Sequence, residues 1–127
     1  MSDDIFIKEW LADSRIVCFR FKTTGTEATD RWIADLVALM SQWDKEKSFL
    51  LLVDLTQAKN NLSPEAMQRS IEISNRYADI PGKVAFLIDP NATTYNVDAM
   101  VKHVLANTRT LQTFTREPDA LEWLLKG

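Results

Sequence analysis

Two aspartates each close an apolar run. Asp54 ends "SFLLLVD" and Asp89 ends "KVAFLID". A pair of carboxylates at one edge of a sheet can serve as general acid and general base, one donating a proton while the other accepts. Thr56, Asn60, Asn61, Ser63 and Asn91 follow them closely and complete a candidate binding cleft with Asp54 and Asp89. No glycine-rich phosphate loop, nucleophile elbow or paired histidine accompanies the carboxylates. Strands of a parallel sheet also stop pairing at their carboxyl ends, where polar residues are structurally ordinary. The two acids therefore read first as strand ends, and no catalytic residue is assigned.

The remaining reactive types are sparse. His103 is the single histidine, on the flank of an apolar helical stripe with no acid at ligand spacing, so neither a metal nor a cofactor is expected. Cys18 is the single cysteine, which excludes an internal disulfide and a Cys-rich zinc site; within a strand it reads as a small buried hydrophobe. The chain has 127 residues and a formal net charge of -3, with no basic block able to neutralise successive phosphates, so nucleic acid is not an expected partner. The opening "MSDDIFIKEW" lacks the basic flank and long apolar core of a signal peptide, and nowhere do about 18 apolar residues run together. The expectation is one cytoplasmic domain over residues 1–127 that is not an integral membrane protein.

The elements that would hold these residues follow from periodicity. Residues 5–10 and 15–22 are rich in β-branched and aromatic types and flank the short turn "LADS", a hairpin pattern. In the second run Val17, Phe19 and Phe21 alternate with Cys18, Arg20 and Lys22, which predicts one partly wet face near a sheet edge. Trp32, Ile33, Leu36, Val37, Met40 and Trp43 recur at helical spacing. "FLLLVDL" is apolar at successive positions, as in a central strand covered on both faces. Ser63 and Pro64 open the next helix as cap and first residue, with Met67, Ile71 and Ser74 on one face, Ile73, Tyr77 and Ile80 beside it and "IPG" as its stop. "KVAFLIDP" predicts a second buried strand, residues 97–108 a further amphipathic helix, "LQTFTRE" a fifth strand and "PDALEWLLKG" a terminal helix. The order β-β-α-β-α-β-α-β-α gives an α/β fold: one mixed, mainly parallel five-stranded sheet with an N-terminal β-hairpin and about four helices.

"LLLVDLTQ" looks like the phosphoacceptor segment of a two-component receiver, but the acid pair needed after a first strand is missing and Arg116 stands where the lysine belongs. The whole layout instead resembles the SpoIIAA-like (STAS-like) superfamily, in its small bacterial stand-alone form. The resemblance rests on a buried strand ending in "DLT", a polar loop, the "SPEAM" helix and the ending "FTREPDALEWL", where an aromatic-bearing strand leads into Ala-Leu-x-Trp-Leu.

That resemblance implies a non-enzymatic regulatory or binding module acting through a protein partner or a small ligand. It also implies a regulatory phosphosite in the region of Ser63, although Leu62 stands where the family's switch aspartate would be. A related expectation is carriage of a small apolar ligand or lipid, as in SEC14-like domains; a small enzyme using Asp54 and Asp89 is the third alternative. The hairpin's outer strand and Trp10 make a homodimer a further expectation.

Overall fold

A computed structural model describes residues 6–23, 25–44, 46–59, 63–77, 79–92 and 109–126. Asn60, Asn61, His103 and the helix expected over residues 97–108 lie outside the described residues. The chain forms β1 (Phe6–Leu11), β2 (Ile16–Phe21), α1 (Thr26–Ser41), β3 (Phe49–Asp54), α2 (Pro64–Arg76), β4 (Gly82–Leu87), β5 (Arg109–Phe114) and, after it, α3 (Glu117–Leu125). The five strands lie in sequence order across a single sheet, with β1 antiparallel to β2 and every later neighbour parallel. The expected mixed sheet with its hairpin is present.

Strand alternation sorts the apolar residues onto two faces. Val17, Phe19, Leu51, Val53, Val84 and Phe86 share a core with Trp32, Leu36 and Met40 of α1 and with Ala66 and Ile73 of α2. Successive crossovers stepping in one direction across the sheet put α1 and α2 on the same side. On the other face Ile16, Cys18, Leu52, Ala85 and Leu87 pack against Ala120 and Leu124 of α3.

β2 lies next to the edge strand β1 and its alternate face is only partly wet: Cys18 is fully buried there under α3, as a small buried hydrophobe, while Arg20 is half-buried. On α2, Ala66 and Ile73 are buried, and Met67, Ile71 and Tyr77 are half-buried against the same core. One sequence expectation needs correction: that helix stops at Arg76, capped by Tyr77, ahead of the "IPG" segment. Gly82 has another use: it sits opposite Phe49 in the β3–β4 register, and a Cβ built on it would collide with the Phe49 carbonyl oxygen. Only glycine permits that approach of two backbones.

Candidate functional site

Asp54 ends β3 on the α3 face and is buried. Its register partner in β2 is Arg20. Arg20 Nη1 donates to Asp54 Oδ2 at 2.8 Å, while Asp54 Oδ1 accepts from the Thr56 backbone N–H at 3.0 Å and from the Thr56 hydroxyl at 2.7 Å. Both carboxylate oxygens are thus engaged, as a buried ionised group requires.

Arg20 reaches further. Its Nε donates to Glu9 Oε1 of β1 at 3.2 Å, and its two terminal nitrogens contact Glu117 Oε1 and Oε2 at 2.9 and 3.2 Å, the bidentate geometry that suits guanidinium and carboxylate. Glu117 stands in the first turn of α3, where a negative charge also meets the favourable end of the helix dipole. The Arg20 pKa is raised, chiefly by the hydrogen bond to Glu117 and secondarily by that to Asp54, against the opposing effect of burial. The far end of α3 is held as well: Lys83 Nζ donates to the Trp123 and Lys126 carbonyls at 2.9 and 2.7 Å. A cation at those last carbonyls satisfies acceptors that the helix leaves unpaired.

Asp89, at the same sheet edge, repeats the local device of Asp54. Its Oδ1 accepts from the Asn91 backbone N–H at 2.9 Å, as Asp54 does from Thr56, so each acid closes a tight turn leaving its strand. Of the other cleft candidates, Thr56 is tied to Asp54 and Ser63 caps α2. The Ser63 hydroxyl oxygen accepts from Ala66 N–H at 3.1 Å, and Pro64 takes the first helical position.

On the opposite face, an apolar cavity of about 50 Å³ lies between α1, α2 and the sheet. Its walls are aliphatic and aromatic, including Trp32, Leu36, Met40, Leu51, Val53 and Phe86, with Ser70 and Ser74 as polar members from α2. Trp32 is 2% exposed, its ring meets Phe21 edge to face, and its Nε1–H has no hydrogen-bond partner among the described residues. A wider concavity of about 680 Å³ sits between the β1–β2 turn and the loop from α1 to β3, with Trp10 and Trp43 in its wall.

A solved structure shares this architecture: an uncharacterized protein from the DUF3478 family with a SpoIIAA-like fold, from Shewanella loihica PV-4. The TM-score is 0.66, with 94% of this chain and 91% of that chain covered at 16% sequence identity. The fold is SpoIIAA-like. No protein-family model and no curated protein matches the sequence. At that identity the likeness is one of backbone layout, and it extends over nearly the full length of both chains.

Within the SpoIIAA-like sheet, the residues that organise the strand ends are ones the sequence pattern passed over. Arg20, Glu9 and Glu117 are separated from Asp54 or from each other by long stretches of chain. The available signal was a charged residue on the alternate face of an otherwise buried strand, since an arginine there needs a partner. Trp32 looked like an ordinary core residue, and nothing in helical spacing reveals an unmet N–H. None of the described helices is long and apolar enough to cross a membrane, and the described residues contain no cluster of three or more His, Cys, Asp or Glu able to hold a metal ion.

Proposed function

We propose that the chain is a non-enzymatic binding module of the SpoIIAA-like type. It responds to a small apolar ligand lodged between α1, α2 and the sheet, and passes that response to a protein partner. The apolar cavity carries this reading. Ser70, Ile73 and Ser74 line it from α2. The same helix begins at the Ser63 cap, so an occupant presses on the element that carries the candidate phosphosite. The engagement of both Asp54 oxygens by Arg20 and Thr56 supports a structural rather than an acid–base use of that carboxylate.

Volume limits the ligand. An engineered cavity of about 150 Å³ takes benzene, and this one is about 50 Å³. A lipid chain of the kind SEC14-like carriers hold does not fit without extensive repacking, so a compact ligand is favoured over lipid cargo.

Xenon, which enters dry apolar cavities, tests the reading directly. NMR should show saturable shifts of the residues lining the cavity, with a rise in Tm that grows with xenon pressure as ligand linkage requires. A non-saturating response spread over the whole surface overturns the cavity reading. Turnover of a substrate that disappears in Asp54→Asn overturns the non-enzymatic one.

A further inference from the structure

We infer that the outer edge of β1 receives an extended segment of a partner protein, which runs antiparallel to β1 and reads apolar, basic, acidic, apolar from its amino end. This gives the module's protein partner a docking strand and does not depend on the cavity. β1 ends the sheet and pairs only with β2 among the described residues. An unpaired edge offers backbone donors and acceptors to another chain, and strand addition is a recurring way to bind an extended peptide. Three large apolar side chains are exposed among the described residues, and two of them, Ile7 and Trp10, belong to this strand.

Between Ile7 and Trp10 stand two charges of opposite sign with unmet capacity. Lys8 is exposed, its Nζ 5.9 Å from the Trp10 ring centroid, with no carboxylate partner among the described residues. Glu9 gives Oε1 to Arg20, while its Oε2 has no partner among the described residues. A second copy of the chain cannot match both charges. Lys8 and Trp10 stand opposite Phe19 and Val17 on the face of α1 and α2, whereas Ile7 and Glu9 stand opposite Arg20 and Cys18 on the face of α3. Directly opposed residues of an antiparallel pair share a face, so two copies paired about a twofold axis never set Lys8 against Glu9. A separate segment is free of that symmetry, and with glutamate opposite Lys8 and lysine opposite Glu9 it matches both. Charges on an edge strand repel unmatched strands, and the same charges favour a strand whose signs are complementary.

Two peptides of one composition, acetylated and amidated at their ends, test this on the full chain: Thr-Val-Lys-Glu-Val-Thr and Thr-Val-Glu-Lys-Val-Thr. The first should shift the β1 amide resonances saturably and bind about tenfold more tightly than the second, since two cross-strand pairs change from opposite to like charge. Lys8→Glu should weaken the first and bind Thr-Val-Lys-Lys-Val-Thr best, a change of preference that lost stability does not produce. Should Lys8→Glu fail to fold, the two peptides on the parent protein decide alone. Equal affinity for the two, a preference for the second, shifts away from β1, or no binding at millimolar peptide each overturns the assignment. The cavity reading, tested by xenon, stands or falls separately.

Discussion

Arg20 and Asp54 face each other in the parallel register of β2 and β3, and their side chains close that pairing with a 2.8 Å hydrogen bond between guanidinium and carboxylate. Through the same guanidinium, the outer strand is tied by Glu9 and the terminal helix by Glu117. One cation thus joins four elements at the sheet edge where the acids looked reactive, and a charge in this setting is retained because its partners are arranged around it.

Removing that cation should cost more than neutralising the acid. Arg20→Met leaves Asp54 buried without its ion-pair partner; the usual 3–5 kcal/mol for breaking a buried pair is reduced by partial exposure of Arg20 to about 2 kcal/mol. Asp54→Asn keeps an oxygen for Thr56 and leaves Arg20 bound to Glu117 and Glu9, so its cost should be smaller. Urea unfolding of both variants measures the order, and an Arg20→Met variant as stable as the parent contradicts it.

Gly82→Ala should be among the most damaging single-methyl additions in the chain. The new Cβ meets backbone of the neighbouring central strand rather than a movable side chain. Strand separation or a lost ladder bond at Phe49 should follow, with destabilisation of about 2–4 kcal/mol. Thermal unfolding unchanged from the parent would show that the strands tolerate the shift.

The Cys18 thiol is pushed up to about 12 from 9.0, first by burial, with Arg20 pulling the other way and Glu9 and Glu117 adding to the rise. The folded state thus retains a proton that the unfolded chain releases earlier. The stabilising contribution is full below pH 9.0 and is lost as pH rises toward about 12. Comparing the parent with Cys18→Ala across that window isolates this slope from tyrosine titration. A thiol reagent at neutral pH should label the unfolded protein and spare the folded one; rapid labelling of the folded protein refutes the buried assignment.

Ser63→Ala should lower stability by about 1 kcal/mol through loss of the cap, whereas Ser63→Asp should preserve it, because aspartate caps equally well and its charge suits a helix start. Intact-mass measurement on protein isolated from its native cells tests the regulatory proposal separately: an added phosphate at Ser63 supports it, and unmodified protein under every growth condition tried counts against it.

Self-association through β1 meets a charge obstacle. In an antiparallel pairing of two copies about a twofold axis, centring on Lys8 sets that lysine against its own copy, and centring on Glu9 does the same for glutamate. Like charges directly opposite oppose pairing, even though Ile7 and Trp10 are exposed nearby at 38% and 43%. Those two registers are disfavoured, whereas centring on Ile7 or Trp10 sets no like charges opposite; light scattering should find any dimer weak and lost on dilution, and Lys8→Val should strengthen it, while a dimer in the parent that survives high dilution overturns this.

Helical and strand periods located the described elements because burial acts on residues two, three or four positions apart. Trp32, Leu36 and Met40 declare the inner face of α1, and the continuous apolar run Phe49–Val53 declares a strand covered on both sides. The cap at Ser63 was legible for the same reason, since its acceptor and donor are three residues apart. The cover that α3 lays over the Cys18 face of β2 was not, because alternation reports polarity along a strand and says nothing of what lies across it. Arg20 on the alternate face of that strand was the one local hint of a buried ion pair.

The sequence by itself determined the order and type of the described elements and the turn chemistry of Asp54, Asp89 and Ser63, all interactions closed within a few residues. Only the tertiary structure decided that Arg20 meets Asp54 and Glu117 across separations of 34 and 97 residues, and that the buried Trp32 indole N–H has no partner among the described residues. Register between strands and the packing of helix on sheet are many-body outcomes of the whole core. No local pattern encodes them.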